Sequence, residues 1–140
     1  MRNIFESEAE ALVNPVNCEG IMGGGLALEF RKKFPAMFNE YRTLCDRGEL
    51  EPGIMHVWKG WDKFVINFPT KDELYKDSEL EYIEVGLPAL IKACKEHGIK
   101  SVAVPALGSG LGRLDWGQVK PLILKAFEDS GIELDLYDPQ

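Results

Sequence analysis

Two glycine-rich segments in equivalent settings constrain this chain more than any other feature. Gly20-Ile21-Met22-Gly23-Gly24-Gly25 lies between the apolar run Ala11-Leu12-Val13 and an amphipathic stretch that begins at Leu26. Gly108-Ser109-Gly110-Leu111-Gly112 lies between Val102-Ala103-Val104 and a second amphipathic stretch, which Asp115 is placed to cap. Each is an extended apolar segment feeding a glycine loop that opens a helix. Glycine lets backbone amides turn toward a ligand without side-chain interference, and a helix N-terminus adds partial positive charge, so such a loop suits a phosphate. The first loop is not a P-loop, because no Gly-Lys-Ser/Thr follows at the required spacing, and it does not meet the dinucleotide fingerprint Gly-x-Gly-x-x-Gly. Alone it reads equally as a flexible turn before a helix. A second loop of the same kind at the same sheet edge favours two phosphates, or the two ends of a diphosphate.

The rest of the chain supplies a frame for these loops. Helical periodicity runs through Leu26, Ala27, Phe30 and Phe34, with Pro35 interrupting or restarting the helix before Phe38, Tyr41 and Cys45. It recurs from Leu80 to Cys94, stopped by Gly98, and from Val119 to Phe127, stopped by Gly131. Strand-like runs are Ala11 to Val13, Ile54 to Trp58, Phe64 to Phe68, Val102 to Val104 and Leu134 to Tyr137. Lys59 to Lys63 reads as a hairpin connection, so one pair is expected to be antiparallel. The alternation predicts an α/β fold of three layers, α/β/α, with a mixed, mostly parallel sheet. At 140 residues the expectation is one domain spanning 1–140. Ligands of such sheets bind beyond the carboxyl ends of the strands, which directs attention to the loops after Val13, Phe68 and Val104.

Composition excludes several functions. A formal charge of -7 argues against a uniformly basic, nucleic-acid-coating surface while leaving room for a local basic patch. Cys18, Cys45 and Cys94 are far apart, and only His56 and His97 are available beside them, so neither a disulfide framework nor a metal site is expected. No membrane-spanning run and no secretion signal are visible, and a cytoplasmic location is expected. His56 reads as a packed side chain, Cys18 as an inert one, and Arg31-Lys32-Lys33 as a solvated helix face, with a DNA-backbone contact as the alternative.

Ala11-Leu12-Val13-Asn14-Pro15-Val16-Asn17, the first glycine loop with Leu26-Ala27-Leu28-x-Phe30, and Val104-Pro105-Ala106 through Gly112 together resemble the signature elements of macrodomains, which bind ADP-ribose. Phe30 to Pro35, Gly53 to Trp58, Asn67-Phe68-Pro69-Thr70-Lys71, and the pattern from Ser78 to Leu87 are similar, in order, to the branch that holds the human terminal ADP-ribose glycohydrolase and the DarG-type antitoxins. The resemblance implies that Asn17 contacts the distal ribose and that Lys71 is the catalytic lysine. It implies an ADP-ribose site of Asn3, Ile4, Gly20, Ile21, Met22, Gly23, Gly24, Gly25, Leu26, Pro69, Thr70, Ala106, Leu107, Gly108, Ser109, Gly110, Leu111 and Gly112. No cofactor is implied, ADP-ribose being ligand or product.

The activity this implies is hydrolysis of the glycosidic bond of ADP-ribose. An amine held neutral attacks the anomeric carbon and forms a Schiff base with the opened sugar; a protonated one stabilises charge on the leaving group. Both roles stand open for Lys71. Removal of ADP-ribose from a base, thymidine in single-stranded DNA, is the leading expectation, with an ADP-ribosyltransferase toxin as cognate partner. ADP-ribosylated acidic protein side chains and a non-catalytic ADP-ribose reader are the alternatives. The sequence departs from the family at four places. Asn3 replaces the aspartate expected to accept from the adenine amino group. The first edge strand is short or missing. Gly112 replaces an acid of the human enzyme. Finally, Asp72-Glu73-Leu74-Tyr75-Lys76 replaces a basic and aromatic run, which disfavours a nearby DNA phosphate, with Tyr75 expected to pack on its own loop and stacking on a base as the alternative.

Overall fold

The computed structural model describes residues 2–139. A short 3-10 turn, Ile4–Glu6, precedes β1 (Ala11–Val16), α1 (Gly25–Lys33), α2 (Pro35–Asp46), β2 (His56–Lys59), β3 (Phe64–Pro69), α3 (Leu80–Glu96), β4 (Ser101–Val104), α4 (Trp116–Phe127) and β5 (Glu133–Leu136). The sheet order is β2-β3-β1-β4-β5. All neighbours are parallel except the β2-β3 hairpin, as the short connection from Lys59 to Lys63 requires.

Alternation along β1 sorts the core into two layers. Ala11 and Val13 join Ile66, Phe68, Val102 and Val104 under α3 and α4, whereas Leu12 and Val16 join Val65, Ala103, Phe30, Met37 and Tyr41 under α1 and α2. The expected three-layer α/β/α arrangement follows. Helix boundaries follow local chemistry. Phe34 leaves helical geometry after α1, and Pro35 occupies the first turn of α2, where its missing N–H costs nothing. Asp115 caps α4 by accepting from the Gly117 amide at 3.0 Å.

β1 extends three residues beyond the run expected from apolar patterning. Pro15 is tolerated there because of where its ring falls. Val16 O accepts from Thr70 N at 2.9 Å, so even-numbered residues of β1 bond toward β3. Pro15 therefore turns its donorless nitrogen toward β4, whose pairing with β1 ends at Leu12 and Ala103.

The segment before β1 is pinned to β5 rather than forming a strand. Asp135 accepts from Arg2 and, at 2.7 Å, from Ser7 Oγ, and Asn3 caps the 3-10 turn through Phe5 N. Burial raises the Asp135 pKa, but hydrogen bonds from Ser7, Arg2 and Tyr137 outweigh it and hold the carboxyl below its ordinary value. A depressed carboxyl stabilises the fold above the unfolded-state pKa, about 3.9, and that contribution disappears as pH falls through the lower folded value. Asp135→Asn is accordingly expected to lower stability at pH 7 and to flatten the acid limb of a stability profile measured by urea denaturation from pH 7 to pH 2.

Gly86 sets the distance of α3 from the sheet. A Cβ there would lie 2.3 Å from the Phe68 ring, which is fully buried. Alanine gains about 1 kcal/mol of helix propensity, but overpacking a filled core costs about 1–3 kcal/mol. Gly86→Ala should therefore lower the thermal midpoint, the opposite of what alanine does at an exposed helix position.

Candidate active site

The carboxyl ends of β3, β1 and β4 lie side by side, and the site is built on them. Beyond the strands, Val16 O accepts from the amides of Thr70 and Lys71 at 2.9 and 3.4 Å, and Cys18 N donates to Asp72 O at 3.1 Å. Parallel pairing thus continues into the loops and places Lys71 alongside Asn17.

Asn17 is nearly buried, and its polar atoms organise the loop that follows. Its Nδ2 donates to Ile21 O at 2.8 Å, and its Oδ1 accepts from Glu19 N at 2.9 Å. The buried Tyr41 hydroxyl reaches across from α2, donating to Asn17 O at 2.7 Å and lying 3.0 Å from Asn17 Oδ1. Burial pushes the Tyr41 pKa far upward, so the hydroxyl remains a donor. Asn17 Nδ2 keeps one hydrogen for a ligand. Tyr41 was legible only as a core position; the polar use of its hydroxyl has no sequence signal.

Met22 fastens the first glycine loop from below. Its side chain is fully buried, with Sδ 3.7 Å from Asn14 Nδ2. Asn14 Nδ2 also donates to Asn67 Oδ1 at 3.0 Å, and Asn67 Nδ2 donates to His56 Nδ1 at 2.9 Å. His56 is buried as expected, and its Nε2 meets Glu40 at 2.8 Å. Above this polar row, the amides of Gly23, Gly24 and Gly25 make no backbone hydrogen bond among the described residues. They are free to meet an anion at the start of α1.

The second loop closes on itself through Ser109 N to Ala106 O and Leu114 N to Gly108 O, at 3.1 and 2.8 Å. The Gly110, Leu111 and Gly112 amides are left without backbone partners among the described residues. Leu111 is 69% exposed and spans the gap between the loops: a Cβ on Gly25, where φ is +57°, would lie 3.2 Å from Leu111 Cδ1. Lys71 is half-buried, and its Nζ donates to Leu111 O at 3.3 Å and to Leu74 O at 3.5 Å. Glu19 Oε1 accepts from Leu74 N at 2.5 Å, tying the Lys71 loop to the first glycine loop.

The structure thus brings Asn17, Lys71, Pro69, Thr70 and both glycine loops together. Of the other expected contacts, the Ile4, Met22 and Leu107 side chains are core and offer only backbone, and Leu26 is half-buried against α1's core. Asn3 is exposed, and its Oδ1 already accepts from Phe5 N at 3.0 Å. It lines a polar depression with Arg2, Ser7, Ser101, Asp135 and Tyr137 along β5. Cys18 is half-buried, and burial, then Asp72, pushes its thiol up to about 12, which suits an inert side chain. Tyr75 does not pack on its own loop: it is 97% exposed, next to a Leu74 amide that donates to Glu19. Among the described residues no three His, Cys, Asp or Glu side chains cluster to hold a metal ion, and no helix is long and apolar enough to cross a membrane.

A mixed sheet with two glycine loops at the carboxyl ends of its central strands defines a macrodomain, and the chain belongs to that family: the Macro domain model matches residues 13–123. Within the family it stands with the DarG-type macrodomains. The macrodomain of Mycobacterium tuberculosis DarG superposes with a TM-score of 0.97 at 42% identity, covering 100% of this chain and 95% of that one. The DNA ADP-ribosyl glycohydrolase of Mycobacterium tuberculosis is 42% identical over 142 residues, 98% of this chain and 40% of its own length. Thermosipho africanus DarTG in complex with ADP-ribose gives a TM-score of 0.92 at 35% identity, covering 98% of this chain and 40% of that one. The chain therefore spans about two fifths of the length of the curated relative.

Gly112, read from the family resemblance as the place of a lost acid, admits no side chain here. A Cβ would fall 2.2 Å from Ser78 Oγ and 2.6 Å from Gly108 O, and Ser78 N donates to Gly112 O at 3.0 Å. Gly112→Asp is expected to destabilise the domain by about 1–3 kcal/mol in urea denaturation and to weaken ADP-ribose binding in calorimetry.

Proposed function

We propose that this domain is an ADP-ribosyl hydrolase acting in the cytosol on single-stranded DNA, where it releases ADP-ribose from a base, thymine by preference. The carrying observation is Lys71, whose backbone runs alongside Asn17 and whose amine donates to Leu111 O where the second glycine loop approaches the first. ADP-ribose fits this frame: the free amides of Gly23 to Gly25 and Gly110 to Gly112 face a diphosphate from two sides. Asn17 offers its remaining N–H to the distal ribose. DarG relatives named for DNA ADP-ribosyl hydrolysis support the choice of polymer.

In the reaction the bond between the anomeric carbon and the base nitrogen breaks, water supplies the new carbon–oxygen bond, and its proton ends on the base. Lys71 Nζ donates to two carbonyl oxygens, and we assign it the electrostatic role, with attack on the sugar as the alternative that trapping tests. An ADP-ribosyltransferase must place the mark that this site removes, which gives the cognate toxin its place as partner.

The acids after Lys71 favour one other substrate, ADP-ribosylated glutamate or aspartate on proteins, because they repel phosphate. Incubation with ADP-ribosylated single-stranded DNA and with an ADP-ribosylated glutamyl peptide in parallel decides between them. Release of unmodified DNA strand, with the peptide persisting, is expected; a modified strand that survives wild-type protein overturns the proposal. Lys71→Ala should lower kcat by on the order of 100-fold or more while leaving ADP-ribose affinity nearly unchanged. Borohydride added during turnover should trap no sugar on Lys71, and the rate should survive chelation.

A further inference from the structure

The geometry points to the track of the polymer: a single strand of nucleic acid crosses the cleft mouth from Tyr75, over Gly20, to Arg42 and Arg31. This inference rests on the hydrolase reading above and adds the surface that holds the strand. Four observations join into one rim. Tyr75 is 97% exposed on the Lys71 loop, and its neighbour Leu74 is held by Glu19, next to Gly20. Gly20 packs against α2, where its Cβ would lie 3.5 Å from Arg42 Cγ. One turn earlier on the same face of α2, Phe38 carries the Arg31 guanidinium over its ring at 4.3 Å. Arg31 and Arg42 are exposed, and neither forms an ion pair among the described residues.

The opposite flank is closed to phosphate. Beyond Tyr75, Lys76 pairs with Glu73 at 2.6 Å and Arg113 lies 3.9 Å from Asp77, so the two cations there are already matched by acids. Glu79 and Glu81 follow. Among the described residues, α1 and α2 carry exposed cations that no ion pair matches, Arg31 and Arg42 with them, beyond the exposed Glu19 and as far as Asp46, one turn past Arg42. Tyr75, beside the site, supplies a face on which a base stacks whatever its identity. The acidic loop after Lys71 then sets the direction of the strand rather than excluding it.

Equilibrium binding in the Lys71→Ala background, where substrate persists, tests this independently of turnover. The ligands are an ADP-ribosylated single-stranded oligonucleotide, an ADP-ribosylated glutamyl peptide and free ADP-ribose. Replacing Arg31 and Arg42 together by Gln should raise the oligonucleotide Kd about tenfold at low salt. It should also reduce the slope of log K against log salt by roughly 1.4, from about 0.7 per phosphate contact on a single strand. Tyr75→Ala should raise the same Kd by on the order of tenfold with an unchanged salt slope, since stacking releases no counterions. ADP-ribose and peptide affinities should not move in any variant. An unchanged slope in the double variant, an unchanged oligonucleotide Kd in Tyr75→Ala, or a parallel loss for ADP-ribose or peptide overturns the track. Wild-type protein that leaves the oligonucleotide modified overturns the hydrolase reading instead, whatever the binding shows.

Discussion

The chemistry of this domain depends on the pairing of β1 with β3 being carried past the strands. Val16 O accepts from both Thr70 and Lys71, and Cys18 N then reaches Asp72 O. Those three bonds set Lys71 against Asn17, though 54 positions separate them along the chain. Because β4 stops pairing with β1 at Leu12 and Ala103, the β4 side of the β1 terminus is left open. Pro15 occupies that open side without breaking a ladder bond, so the same residue that would interrupt an ordinary central strand marks where the cleft begins.

Apolar patterning alone leaves the register of β1 weakly specified, since Ala11, Leu12, Val13 and Val16 all meet apolar neighbours. The polar row resolves it. Asn14 stands opposite Asn67, and Asn67 opposite His56, in the two ladders. A slip of one residue would face Asn14 with Ile66 or Phe68 and orphan amides buried at 0% exposure. Each orphaned buried group costs about 1–3 kcal/mol, a large fraction of a small domain's stability. The row extends through Met22 to the floor of the first glycine loop, so one set of hydrogen bonds fixes both strand alignment and loop height. Asn14 Oδ1, buried without a hydrogen-bond partner among the described residues, is one acceptor the row leaves unsatisfied.

Elements were legible where a residue acts on its own backbone. Pro35 restarts a helix, Asp115 caps one, and Gly98 follows the end of another with φ +65°, all through local geometry that sequence states directly, whereas α4 stops at Phe127, four residues before Gly131. What could not be read was set by partners distant in sequence. Tyr41 shows as an apolar helix position, yet its hydroxyl holds Asn17. Gly112 reads as a lost acid, whereas Ser78 and Gly108 leave no volume for any side chain there. Tyr75 reads as a residue packing on its own loop, but the ring is 97% exposed and the loop is tied down instead through the Leu74 amide to Glu19. Asn17 and Lys71 became visible through family resemblance, since a lone lysine after a strand carries no signal of its own.

Net charge is a poor guide to whether such a surface meets nucleic acid. The chain carries -7, but at physiological salt the Debye length is about 8 Å, so a phosphate responds to the side chains beside it more than to the far side of the domain. Around the cleft mouth, charges are sorted by element: acids with matched cations after β3, and on α1 and α2 arginines that form no ion pair among the described residues. One of those elements, α2, also packs on Gly20 and reaches Asn17 through Tyr41. Helix α2 therefore holds Asn17 in place and carries Arg42 beside Gly20, so one element supports both the candidate site and the proposed track.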